Sequence, residues 1–187
     1  MKKLIIASVL VAAPIAVIAL ICCRNRRSVD NTSVETFDLK SYLGRWFEIA
    51  RLDHSFERGL SNCIATYTLK SDNTIRVLNQ GWNNENGKWT VSEGKAKTTK
   101  TLSLLRVSFF GPFYSDYRIL VIDPYYTYAL VGSGSGKYLW ILSRTPELDS
   151  GVCDMLIAEA QRRGYDTSRL IMVDQSKNLE SITNQEA

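Results

Sequence analysis

Tyr42-Leu43-Gly44-Arg45-Trp46-Phe47-Glu48-Ile49-Ala50-Arg51 is the stretch from which the fold can be read. Gly44 gives the backbone an unhindered entry into an extended run. Two residues later Trp46 turns a large ring, with one N–H to satisfy, to one side of that run. Taken alone, Gly-x-Trp describes any core tryptophan beside a turn glycine. Its meaning comes from the pattern of the residues after it.

Downstream, Leu52 to Gly59 is a polar loop in which His54, with no partner evident in the sequence, is expected as a solvated side chain. Cys63, Ala65, Tyr67 and Leu69 then alternate with threonines, which predicts a strand with those four on one face. After the Ser71-Asp72-Asn73 turn, Ile75, Val77 and Asn79 share a face. Lys88 to Val91 returns from a second turn, and Gly94 to Thr98 is a short polar strand. Leu105, Val107 and Phe109 point one way from the next run, which Gly111-Pro112 breaks. Tyr117, Ile119 and Val121 share one side of the next strand. Asp123-Pro124 opens a turn into Tyr128 to Gly132. A Gly/Ser connection then leads to Tyr138, Trp140 and Leu142 on one face. That connection lacks the spacing of a phosphate loop, and Tyr138 stands where Ser or Thr is needed. Roughly eight short strands at regular spacing predict a sandwich or a barrel. Val152, Cys153, Leu156, Ile157 and Ala160 form a helical stripe that Gly164 ends, and Leu170 to Val173 reads as a last short strand.

Upstream, Lys2 and Lys3 precede an apolar run from Leu4 to Ile21, the pattern of an export leader. It ends in Cys22-Cys23. An uncleaved anchor and soluble secretion remain open, since the run is about long enough to span a bilayer. Residues 24–36 are polar and unpatterned and read as a flexible tether, and residues 176–187 as a polar tail. The formal net charge of +4 is too small to argue for nucleic acid. A single histidine, four cysteines and no C-x-x-C pair exclude the usual zinc sites, so no metal is expected. The nucleophile candidates Cys63 and Cys153 have no histidine base by sequence context, which argues against an enzyme.

Eight strands and one amphipathic helix, opened by Gly44-Arg45-Trp46, resemble the lipocalin family from about residue 37 to 175. Two further motifs carry the resemblance. One is the turn before Tyr128, where Asp123-Pro124-Tyr125 stands for the usual Thr-Asp-Tyr. The other is Arg144 in Leu142-Ser143-Arg144-Thr145-Pro146. With Phe109-Phe110-Gly111-Pro112-Phe113-Tyr114 they look most like the branch holding bacterial lipoprotein members and apolipoprotein D. The resemblance implies an all-β fold, an eight-stranded antiparallel up-and-down barrel with one C-terminal helix packed outside. It implies that Arg144 crosses Trp46 beside Gly44 at the closed end. It makes residues 1–23 a lipoprotein leader with Cys22 or Cys23 as the lipidated residue. It also implies an outer-membrane position facing the periplasm, with an inner-membrane anchor or secretion as alternatives.

Alternation and resemblance together place Tyr67, Val77, Asn79, Val107, Phe109, Tyr117, Ile119, Tyr138 and Trp140 as ligand contacts inside the barrel. The expected ligand is a small hydrophobic molecule such as a fatty acid or lysophospholipid. No cofactor is expected, and a homodimer is left open. The alternative is a barrel filled by its own side chains, serving structure or assembly in the envelope. Cys63 inside and Cys153 on the outer helix would stay unpaired, with a wall of backbone between them.

Overall fold

The computed structural model describes residues 28–179. The leader with Cys22 and Cys23, the first part of the tether (24–27) and the end of the tail (180–187) lie outside the described residues. A short helix α1 (Leu39–Tyr42) begins at Asp38, whose carboxylate accepts from the amides of Lys40 and Ser41. Gly44 then takes φ +95°, a value that disfavours any side chain, and the chain enters β1 (Gly44–Leu52). The next strands are β2 (Leu60–Leu69), β3 (Ile75–Asn83), β4 (Lys88–Thr98), β5 (Leu104–Phe110), β6 (Phe113–Ile122), β7 (Tyr128–Gly132) and β8 (Leu139–Ser143). Each pairs antiparallel with the next, and β1 pairs with both β8 and β2, so eight strands close into a barrel. Closure removes the free edges that an open sheet would expose.

The sequence splits β4 in two, whereas the structure runs it unbroken through Gly94. A Cβ there would stand 2.8 Å from Ser108 O and 2.9 Å from the Phe109 ring, so glycine lets β5 close over β4. Helix α2 (Ser150–Arg162) lies on the outside. Its Cys153, Leu156 and Ala160 pack with Phe47, Ile49, Leu139 and Ile141 on the outer face of the sheet. A short β9 (Leu170–Met172) pairs with Ala50, Arg51 and Leu52. It takes over the edge of β1 that β2 occupies only as far as Phe47.

Two irregularities change the parity read from the sequence. The register of β1 shifts between Glu48 and Ala50. Trp46 lies in the inner cluster, while Ala50 and Leu52 join the layer under α2, which leaves Arg51 turned inward beside Glu48. The register of β6 shifts between Ile119 and Val121. Tyr117 and Ile119 stay inside as expected, but Val121 packs under the helix and Ile122 replaces it.

The stretch read as a free tether is docked from Val29 onward. Asp30 N donates to Arg163 O, Val34 N to Ile119 O, and Ser103 Oγ to Val34 O at 2.6 Å. The start of the tail is docked too. Lys177 N donates to Asn62 Oδ1, and buried Asn178 donates to Asn62 O.

Leu156, fully buried between α2 and the barrel, tests that packing. Leu156→Ala should lower stability by about 2–5 kcal/mol in chemical denaturation while leaving the β-sheet circular dichroism of the folded state unchanged.

A candidate ligand site in the barrel lumen

The closed end forms the floor of the lumen. Trp46 is fully buried and its Nε1 donates to Tyr42 O at 2.8 Å. The Arg144 guanidinium lies 3.8 Å from the centre of the Trp46 ring. Its N–H groups reach the carbonyls of Ser41, Leu43, Arg45 and Tyr126 at 2.6–3.1 Å. One side chain thus ties α1, β1 and the β6–β7 turn to the end of β8. That turn departs from the family's usual residues, yet Asp123 Oδ2 still accepts from the amides of Tyr125 and Thr127.

Above the floor, the hydroxyl of Tyr117 meets those of Tyr42 and Tyr67 at 2.6 and 2.8 Å. Burial pushes all three phenols above their ordinary pKa, so they act as neutral hydrogen-bonding groups. Val77 and Ile119 are sealed at this depth. Asn79, Val107, Phe109, Tyr117 and Trp140 belong to the inner side yet keep intermediate exposure. Of these, Val107, Phe109, Tyr117 and Trp140 pack against the inner apolar cluster. Tyr138 precedes β8 and stacks on Trp140, their centroids 5.9 Å apart. Asn79 Oδ1 is buried without a hydrogen-bond partner.

The sequence reading misses a buried polar group at the mouth. His54 is only 6 % exposed, not solvated. It stacks on Phe56 at 3.9 Å, and its Nε2 stands 3.0 Å from Glu57 Oε2. Trp140 Nε1 donates to the same Glu57 oxygen at 3.1 Å. Arg51 donates to Glu48 at 2.7 Å and to the carbonyls of Glu57 and Leu60 at 2.8 and 2.9 Å. The β1–β2 loop is therefore folded inward, because carriers of opposite charge inside the barrel satisfy one another there. The only sequence signal is the density of Glu, Arg and His between residues 48 and 58, and the β1 irregularity hides its direction.

The two buried acids behave differently. Burial, reinforced by the charge of Glu57, pushes the Glu48 carboxyl well above its ordinary value despite Arg51. Burial also acts to raise Glu57, but hydrogen bonds from His54 and Trp140 and the charge of Arg51 outweigh it and hold it below the usual range. Cys63 also lies in this region, 3.8 Å from Arg51, and burial raises its thiol far above the ordinary range. Cys153 belongs to the helix contact on the outer face, and neither cysteine is bonded to the other. Among the described residues no cluster of three or more His, Cys, Asp and Glu side chains is arranged to hold a metal ion.

Among the described residues the surface has shallow depressions. One of about 290 Å³ is lined by Arg76, Glu93, Lys95 and Phe109, and one of about 400 Å³ by Asp53, Arg58, Asn84 and Met172 among others. Of the expected ligand contacts only Phe109 borders either one.

A closed eight-stranded barrel, one helix on its flank and an arginine laid over the tryptophan of its floor define a lipocalin. The chain belongs to the lipocalin family: the Lipocalin-like domain family matches residues 37–175. Outer membrane lipoprotein Blc of Escherichia coli (strain K12) is 47% identical over 171 residues, covering 89% of this chain and 96% of that protein. Apolipoprotein D of Rattus norvegicus is 36% identical over 153 residues, covering 76% and 79%. Among solved structures, the major allergen Per a 4 from cockroaches matches with a TM-score of 0.65 at 22% identity, covering 81% of this chain and 96% of that one. That last likeness is one of fold alone.

Two measurements check the site's electrostatics and its floor. Arg144→Ala removes a packed cation–aromatic contact, worth about 0.5–2 kcal/mol, together with its carbonyl contacts. The variant should melt lower than the parent yet keep its affinity for a fluorescent fatty acid. Glu48, with a raised folded pKa, contributes stability that is complete below the ordinary carboxylate range and is lost as pH rises through the folded value. Glu48→Gln removes that loss. Melting temperature measured from pH 4 to 8 should therefore climb more steeply, or fall less, in Glu48→Gln than in the parent.

Proposed function

We propose that this lipocalin binds one small hydrophobic ligand, a fatty acid, lysophospholipid or similar amphiphile, in the upper lumen, and works in maintaining envelope lipids. The observation that carries the reading is the row of inward-facing but incompletely buried side chains, Trp140, Tyr117, Val107, Phe109 and Asn79, above a sealed floor. An acyl chain laid against such walls gains about 0.8 kcal/mol per buried methylene. A long chain gains on the order of 10 kcal/mol gross, before association costs remove several. The unpartnered Asn79 Oδ1 is an acceptor for a polar head. Nothing in this reading needs a nucleophile, and Cys63, held protonated by its burial, is a poor one.

The relationship to Blc, named an outer membrane lipoprotein, supports a lipid anchor at Cys22 or Cys23 and an outer-membrane position, which on this reading faces the periplasm. A filled barrel serving envelope structure is the second reading. It is favoured by the Trp140–Glu57 contact across the mouth and by depressions that border the lumen only at Phe109.

Displacement of a fluorescent fatty acid separates the two. Trp140→Ala should weaken binding by on the order of 1–3 kcal/mol, because a large contact surface is lost. Asn79→Leu should shift preference toward ligands with no polar group at that depth. No saturable binding in the parent, or equal affinity in a folded Trp140→Ala, would select the filled barrel.

A further inference from the structure

The strap that precedes the barrel fixes which end of the molecule lies beside the chain's amino-terminal segment. The closed end holds Trp46, Arg144 and the β6–β7 turn, so the β7–β8 connection lies at the opposite, open end together with the β1–β2 loop. Val29 packs on Gly136 of that connection, close enough that a Cβ on Gly136 would stand 2.8 Å from a Val29 methyl. Asn31 Nδ2 donates to Gly134 O at 3.0 Å, and Tyr165 to Asn31 Oδ1 at 2.9 Å. From there the strap descends along β6 to Phe37, which packs with Tyr42 and Tyr126 at the floor. The described chain thus begins at the mouth.

The same end carries the most exposed apolar hairpin. Phe110 and Phe113, 80 % and 78 % exposed, flank Gly111-Pro112 at the tip of β5–β6. Phe56 of the β1–β2 loop is 54 % exposed. Closed-end loops expose single apolar side chains, Leu102 and Tyr125, and meet the strap at its far end, around Val34 and Phe37 rather than beside Ser28.

We infer that the mouth of the barrel docks on the bilayer that holds the anchor, with the Phe110–Phe113 tip set into the lipid interface. The inference rests on the proposed lipid anchor at Cys22 or Cys23. Cys23 is five residues from Ser28 and Cys22 six, a reach of at most roughly 20 Å. The ten residues of β6 alone span about 33 Å, so an anchor this short brings the mouth to the membrane and holds the floor away from it. Arg24, Arg26 and Arg27 fall within that reach, where anionic headgroups would attract them. Aromatic rings favour the boundary between headgroups and acyl chains. An amphiphile would then pass between bilayer and lumen without crossing water.

The test uses the full-length acylated protein in vesicles of phosphatidylethanolamine and phosphatidylglycerol. Nitroxides are placed at Gly111→Cys, where an added side chain meets only Lys95 Nζ at 4.0 Å, and at the closed-end position Lys100→Cys. Cys63 and Cys153 are buried and stay unlabelled, and the parent protein treated with the same reagent gives the background from any thiol left beside the anchor. Collision with oxygen should exceed collision with an aqueous nickel chelate at the tip, and the reverse should hold at Lys100. Equal, water-like accessibility at both sites overturns the orientation, as does a mass spectrum without the acyl adduct. These readouts need no ligand, so a failure of ligand binding leaves them decisive. In a second arm, Phe110→Ser with Phe113→Ser should slow transfer of a fluorescent fatty acid from vesicles to the anchored protein about tenfold. Its affinity for the same probe in vesicle-free buffer should stay within twofold. An unchanged transfer rate overturns the docking role of the two rings.

Discussion

The Arg144 guanidinium over Trp46 is the contact on which the arrangement of the barrel depends. It sits where the chain enters β1 and leaves β8, and it bonds carbonyls on both sides of that seam. A guanidinium suits the place because its planar face covers an indole while its edge supplies several donors at once. A lysine could offer the charge but not both surfaces. Since β1 pairs with β8 and with β2, fixing the start of β1 sets the register of the closure on either side. The same seam sets the depth of the lumen, because it places the floor residues Tyr42 and Trp46.

The second constraint is the β1 irregularity between Glu48 and Ala50. It delivers Arg51 to the interior, and a buried cation must find partners. Glu48 supplies one, and the carbonyls of Glu57 and Leu60 supply others, drawing the β1–β2 loop down into the mouth. With the loop held there, Glu57 meets His54 and Trp140. The polar contents of the lumen thus arise from one extra residue in a strand, and the apolar wall and the polar mouth share Trp140 as a common member.

These two constraints divide the features legible in the sequence from those that are not. Alternation depends only on neighbouring residues, so spacing shows which side chains share a face, and the resemblance says that the face of Tyr67, Val77, Val107, Phe109 and Trp140 is the inner one, where they lie. Gly44, Trp46 and Arg144 are legible because their chemistry is specific and their positions in the strand order are fixed. Parity fails where the register shifts: Val121 and Ile122 exchange sides, and Arg51 is turned from the outer to the inner face. His54 looks solvated because its partners depend on the fold of a loop and on Trp140, 86 residues away in the chain. The strap from Val29 looks free because polar residues that donate to a barrel and polar residues that donate to water have the same composition.

The lumen is graded rather than uniform. At the floor, Trp46, Leu105 and Ala129 leave no room and no unmet polar atom of their own. Midway, three tyrosine hydroxyls satisfy one another and leave their rings as an apolar wall. Nearer the mouth, Asn79 Oδ1 and Arg51 Nε are buried without partners. A buried unmet polar group costs about 1–3 kcal/mol, and a folded core with no ligand to receive would be expected to replace it with carbon. Under the proposed function the deficit has a use. An amphiphile that lays its chain toward the tyrosines brings its own polar end to the level where a donor and an acceptor wait. The gradient then orients the guest, chain toward the floor and head toward the mouth.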